Sequence, residues 1–211
     1  MLYSELQCSE AIHKAVERMG FAEMTEIQEK TIPLMLAGHD VIAKAPTGTG
    51  KTCAFGIPVA EHILPENKYP QAVIMAPTRE LAQQIAEELT QLTYFMPEVQ
   101  VACVYGGANM EKQAKRLAEG CQIVVATPGR LSDHMKRRTV VLKAVRTVVL
   151  DEADRMLDMG FIHDVTRILD KIPNRKNLGM FSATISREVM DISWVYQRDP
   201  EEITVQATKE N

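Results

Sequence analysis

Val41-Ile42-Ala43-Lys44-Ala45-Pro46-Thr47-Gly48-Thr49-Gly50-Lys51-Thr52 reads as a short apolar strand ending in a glycine loop, and Ala54, Phe55 and Ile57 then open a helical segment. Gly38-His39-Asp40 supplies the turn into the strand. A strand, a glycine loop and a helix in that order make a phosphate cradle, because glycines let the backbone approach an anion and the helix amino terminus adds partial positive charge. Lys51 would reach the outer phosphates, and the Thr52 hydroxyl would ligate magnesium. The general pattern asks for glycine at the first position, where Ala45 stands. Gly50-Lys51-Thr52 alone is short enough to arise by chance, as a glycine turn between core elements. Its seat between strand and helix favours the phosphate reading.

Outward from this loop, apolar runs of strand type recur at 72–76, 99–104, 123–126, 145–150 and 178–181. Most are too continuous for half-exposed strands, which points to burial on both faces. Between them lie helix-period stripes, such as Leu81, Ala82, Ile85, Leu89 and Leu92 with Gln83, Gln84, Glu87 and Glu88 opposite. The alternation predicts an α/β fold in three layers, a central mostly parallel sheet with helices on both faces. Residues 1–38 differ in holding two helices before any strand. The first is expected to start at Ser9, to present Ile12, Ala15, Val16 and Met19 on one face and to stop at Gly20. Residues 39–206 are expected to form the main domain with 1–38 packed on it. Near the end, 198–202 reads as a turn, 203–205 as an edge strand and 207–211 as the start of a linker.

The 211 residues are 45% hydrophobic and 25% charged, ordinary for a globular chain and enough for a sizeable core. No apolar run approaches the roughly 18 residues of a membrane span, and the opening segment has no secretory pattern. A soluble cytoplasmic protein without a membrane partner is expected. Cys8, Cys53, Cys103 and Cys121 lie far apart, form no Cys-x-x-Cys pair and read as buried, reduced thiols. A formal net charge of -4 excludes coating nucleic acid by bulk charge, so any such contact must be made by a few placed groups.

Thr147-Val148-Val149-Leu150 runs into Asp151-Glu152-Ala153-Asp154, placing two adjacent carboxylates at the carboxyl end of a buried strand. That edge is where parallel sheets bind ligands. Asp151 can hold magnesium, which prefers oxygen ligands and keeps several waters. Glu152, leaving the strand in another direction, can orient or deprotonate an attacking water. Acids also decorate helix amino termini to suit the dipole, and Asp154 fits that use as well.

With both elements in place the sequence resembles the DEAD-box family of superfamily 2 RNA helicases, whose name Asp151-Glu152-Ala153-Asp154 spells. The likeness is to the family's first domain, a RecA-like fold of the P-loop NTPase type. Gly20-Phe21 through Thr25-Glu26-Ile27-Gln28 resembles the Q motif, and 45–52 looks like motif I, whose first residue in this family is alanine. Pro77-Thr78-Arg79-Glu80-Leu81-Ala82 resembles motif Ia, Gly106-Gly107 the double glycine, Thr127-Pro128-Gly129-Arg130 motif Ib, and Ser182-Ala183-Thr184 motif III. The resemblance implies ATP and Mg2+ as cofactors, held by Phe21, Gln28, Ala45, Pro46, Thr47, Gly48, Thr49, Gly50, Lys51 and Thr52, with Asp151 on the metal. It gives Gln28 the adenine edge, Phe21 a place near the base and Tyr3 a supporting position. Met24 stands where the family usually has proline, and Tyr3 where it usually has phenylalanine. Gln28 has a second reading, since Thr25-Glu26-Ile27-Gln28 also fits a capping box. Its amide presents the donor and acceptor that adenine needs.

Arg79 and Arg130 each follow a proline-containing turn just past a buried strand. With Pro77, Thr78, Gly107, Thr127, Pro128 and Gly129 they offer phosphate and sugar contacts, so RNA binding largely independent of sequence is expected. Lys136-Arg137-Arg138 closes a helical segment, where basic residues suit the dipole without a ligand. The hydroxyls of Ser182 and Thr184 either reach Asp154 or Glu152, coupling nucleotide state to domain position, or help cap the helix at 186–192. Nothing in the chain resembles the family's second RecA-like domain, whose arginines reach the phosphates. A monomeric chain that binds ATP but hydrolyses it very slowly is therefore expected. The rival readings are a DNA translocase or nucleotide kinase on the same core, and a short adaptor that binds nucleotide without catalysis.

Overall fold

Continuous apolar runs give strands with no wet face: every residue of β2 (Ala72–Met75), β4 (Ile123–Ala126), β5 (Thr147–Leu150) and β6 (Asn177–Ser182) is buried. In this computed structural model, which describes residues 1–46 and 50–206, they form one sheet with β1 (Val41–Lys44), β3 (Val101–Val104) and β7 (Glu201–Thr204). The strand order is β3-β4-β2-β5-β6-β1-β7. All six neighbouring pairs are parallel, so the sheet expected to be mostly parallel is wholly so. Parallel neighbours need long crossovers, and the helices between the strands supply them.

The pleat of each strand splits its side chains between two cores. Val41, Ala43, Ala72, Ile74, Ile123 and Val125 face a layer built from α1 (Glu10–Arg18), α2 (Glu26–Leu36), α3 (Lys51–Glu61) and α4 (Arg79–Leu92). Ile42, Val73, Met75, Val124, Val148 and Leu178 face α5 (Met110–Ala118), α6 (Pro128–Lys136), α7 (Ala153–Asp158), α8 (Ile162–Asp170) and α9 (Arg187–Tyr196). Sheet and helices thus make the three layers, with α1 and α2 joined to the first core through Ile12, Val16, Ile27 and Met35.

Several local expectations need correction. Ser9 does start α1 as its N-cap residue, but its hydroxyl makes no capping bond; its backbone N–H donates to the Glu61 carboxylate at 3.0 and 3.1 Å. Gly20 does end that helix, at φ +83°. Strands β3 and β5 start two residues inside their apolar runs, because Val99 and Val145 are buried in loops rather than paired. Strand β7 begins at Glu201, which was expected in a turn: its N–H donates to the Asp40 carbonyl at 2.9 Å, and an edge strand leaves both glutamates in water. All four cysteines are free, yet Cys8 and Cys103 are only half-buried, the latter because β3 is the other edge strand. The linker expected at 207–211 lies outside the described residues.

Candidate functional site

Because all seven strands run the same way, their carboxyl ends share one edge. Along it in sheet order come Gly106-Gly107 after β3, Thr127-Pro128-Gly129-Arg130 after β4, Pro77-Thr78-Arg79 after β2, Asp151-Glu152 after β5, Ser182-Ala183-Thr184 at the end of β6, and Ala45 after β1. The three loops expected to meet RNA are therefore contiguous, the phosphate loop lies towards the far side, and the acidic pair sits between.

The ends of the phosphate loop are tied down. Ala45 N–H donates to the Ser182 carbonyl at 2.9 Å, and Gly50 precedes α3 at φ +82°, a conformation suited to glycine. Thr47, Gly48 and Thr49 lie outside the described residues. Lys51 and Thr52 open α3, where Lys51 is 8% exposed with its Nζ 3.4 Å from Asp151 Oδ1. Asp151 is 2% exposed and also accepts the Glu152 N–H at 2.9 Å. Burial raises the Asp151 pKa, Lys51 opposes that, and the Glu152 charge adds to it. Such a carboxylate demands a cation beside it.

Glu152 itself is left-handed at φ +51°, a strained geometry for a side-chain-bearing residue and one that functional sites retain. Its carboxylate is partly exposed, 4.0 Å from Arg155 Nη1. Asp154, two residues on, is a hub. Its N–H donates to Ser182 Oγ at 3.1 Å, and its Oδ2 accepts the Thr184 N–H at 3.1 Å and the Thr184 hydroxyl at 2.9 Å. Burial works to raise the Asp154 pKa, but these hydrogen bonds and the Arg155 N–H outweigh it and hold the group ionised. Capping of α9 falls to Ser186, which accepts from Val189 N–H at 3.2 Å. Of the two readings of Ser182 and Thr184, the geometry thus takes the Asp154 contact, and Ser182 joins that hub to the phosphate loop.

Gln28 takes up the capping-box reading and keeps an amide hydrogen that the adenine reading would need. Its Oε1 accepts from the Thr25 N–H at 3.0 Å, the capping-box bond, and from the Tyr3 hydroxyl. Its Nε2 donates to the Gly50 carbonyl at 3.1 Å, which leaves one amide hydrogen for a ligand. Tyr3 also stacks on Phe21 with ring centroids 6.1 Å apart, and Phe21 keeps 43% of its surface exposed. Met24 has a use where proline would fail, since its N–H donates to the Met1 carbonyl at 3.0 Å.

Of the arginines in the loops expected to meet RNA, Arg79 is exposed at the start of α4, with its guanidinium 4.8 Å from the Tyr105 ring centroid. Thr78 is committed locally, capping α4 through Leu81 N–H at 3.2 Å. Pro77, Thr127 and Pro128 are buried, Gly129 is half-buried, and Gly107 turns at φ +87°. Arg130 is half-buried and bonded inward, to the Ala108 carbonyl at 2.9 Å and to Gln113 Oε1 at 3.2 Å. Gln113 in α5 is a positioning residue that the sequence reading missed: its Nε2 donates to the Tyr105 carbonyl at 3.0 Å, joining the double-glycine loop to the Arg130 loop. The only hint in the sequence is a long polar side chain on the buried side of a helix.

Gln113 also fixes the state of buried His134. With Nε2 spent on Tyr105, its Oε1 faces His134 Nε2 at 3.1 Å, so the imidazole proton sits on Nε2 and Nδ1 accepts from the Thr139 hydroxyl at 2.7 Å. Burial, followed by the Arg130 charge, lowers the His134 pKa from its ordinary 6.5. A depressed folded pKa means that this stability is present above 6.5 and is lost as pH falls from there through the folded value. Melting temperature should fall over that window, and His134→Gln should flatten the fall; parallel curves for the two proteins would place the pH dependence elsewhere.

A family model described as DEAD/DEAH box helicase matches residues 25–192. The chain is 48% identical over 207 residues to an ATP-dependent RNA helicase CshA from Limosilactobacillus reuteri, covering 98% of this chain and 41% of that protein. It is 49% identical over 205 residues to the CshA of Listeria monocytogenes, covering 97% of this chain and 39% of the relative. The chain thus spans about two fifths of the length of these curated relatives. In structure it resembles a DEAD box protein from the hyperthermophile Methanococcus jannaschii, with TM-score 0.91, 41% identity, and coverage of 98% of this chain and 56% of the other.

Proposed function

The chain belongs to the DEAD/DEAH box helicase family, and on that premise we propose that it is the ATP- and RNA-binding RecA-like part of an RNA helicase that couples ATP hydrolysis to local opening of RNA duplexes. Residues 39–206 form the nucleotide-binding unit, and 1–38 bring Gln28 and Phe21 to the adenine. The observation that carries this reading is the order of groups along one sheet edge, with the buried Lys51 and Asp151 pair and strained Glu152 between a phosphate loop and three backbone-gripping loops.

In this reading Lys51 holds the outer phosphates, and Glu152 orients the attacking water and takes its proton. Among the described residues no three His, Cys, Asp or Glu side chains gather to hold a metal, which suits magnesium, an ion that usually takes one or two carboxylates plus phosphates and waters. Asp151 and Thr52 would hold it, and it would neutralise charge building on the phosphates. The Asp154, Ser182 and Thr184 hub couples nucleotide state to position of a second RecA-like domain. Arginine contacts from such a domain are worth about 10³ to 10⁵ in rate, so this chain alone should turn over very slowly as a monomer. Four free thiols fit work in the reducing cytoplasm, and among the described residues no helix is long and apolar enough to cross a membrane.

Titration of the chain with single-stranded RNA and DNA of matched sequence, with and without a non-hydrolysable ATP analogue, tests the assignment. RNA should bind more tightly, and Arg79→Ala should weaken it about equally for every sequence and lower the salt slope by about 1. Equal binding of DNA would favour a translocase, and an unchanged salt slope would remove Arg79 from the interface.

A further inference from the structure

The sheet edge opposite the phosphate loop carries a groove of about 710 Å³. It lies between residues 68–70 ahead of β2, the end of α5 at 114–120, and the chain leaving α6 at 138–141. Leu117, Val140 and Val141 contribute apolar surface, while Lys68, Lys115 and Arg138 bring three positive charges against one carboxylate, Glu119. Those three cations are exposed, and among the described residues none is in an ion pair. On a chain of net charge -4, such a basic rim is a local feature.

Arg138 adds an independent sign. It sits just past the end of α6 at φ +57°, where its N–H donates to the Met135 carbonyl at 3.1 Å and the Thr139 N–H to the His134 carbonyl at 3.0 Å. That helix-ending geometry favours glycine, so arginine sits there under backbone strain. The last residue of the Lys136-Arg137-Arg138 run therefore contributes more than a charge near a helix end.

We propose that this groove docks an acidic peptide segment of a partner protein, its apolar side chains on Val140, Val141 and Leu117 and its carboxylates against Lys68, Lys115 and Arg138. A nucleic acid fits less well. It would need stacking platforms, and the one aromatic ring in the groove, Tyr69, already has Lys143 Nζ 4.6 Å from its centroid. Charge at the rim gives specificity and association rate, and the apolar floor gives affinity.

Selection of a random 12-residue peptide display library on the whole chain tests this. Enriched peptides should interleave Asp and Glu with apolar residues. Their affinity should fall at least tenfold for Lys68→Glu/Lys115→Glu, with RNA and nucleotide affinity unchanged. Arg138→Gly should also weaken them while keeping or raising the melting temperature, which separates lost docking from lost folding. No enrichment over a blank surface, or equal binding by the charge-reversed variant, overturns the proposal; loss of RNA affinity in that variant instead makes the groove a nucleic-acid surface.

Discussion

Glu152→Gln is expected to leave nucleotide affinity unchanged and to slow ATP hydrolysis by about 10² to 10⁴, the usual worth of a positioned general base. Glutamine keeps the shape of the side chain and can occupy the same left-handed backbone, whose φ of +51° is set by the strand-to-helix turn. What it cannot do is accept a proton from water. Single-turnover hydrolysis with protein in excess keeps slow rates readable, and RNA should be present at saturation. Unaltered hydrolysis would move water activation to another group, and lost nucleotide binding would make Glu152 a support for the loop instead.

Lys51→Ala should do two separable things. Nucleotide affinity falls because the outer phosphates lose their cation. The fold also weakens, since Asp151, 2% exposed, is left without the ammonium 3.4 Å away. Breaking one side of a buried pair costs about 3 to 5 kcal/mol. Adding Asp151→Asn removes the stranded charge, so the double variant should regain much of the melting temperature but none of the nucleotide affinity. Burial already pushes the Asp151 pKa up, so a neutral side chain should be tolerated there. A double variant as unstable as the single one would show that packing of the Lys51 stem matters more than the charge.

Strands with both faces buried announce themselves, and for that reason the sheet and the loops at its carboxyl edge were legible in the residues alone. Legibility ended where one side chain serves several partners. Gln28 fits a capping box as well as the adenine role that the family resemblance favours, and only its three bonds show that it caps, meets Tyr3 and braces Gly50 together. Arg130 looked like a free cation because nothing in a linear reading brings Gln113, 17 positions away, against it. The Gln113 and His134 contact, 21 positions apart, is invisible for the same reason. Hydrophobicity marks burial and not pairing, so Val99 and Val145 were assigned to strands they only adjoin.

A wholly parallel sheet has an electrical consequence. Each helix that directly follows a strand starts at the same edge, so α3, α4, α5, α6, α7 and α9 all present their amino termini there, after Gly50, Thr78, Asn109, Thr127, Glu152 and Ser186. Each terminus acts as roughly half a positive charge. The edge thereby carries a positive contribution from peptide dipoles, which have no pKa, beside the carboxylates of Asp151, Glu152 and Asp154. The part of any phosphate attraction that comes from those dipoles should fade with salt and persist across pH, and no count of lysines and arginines would disclose it.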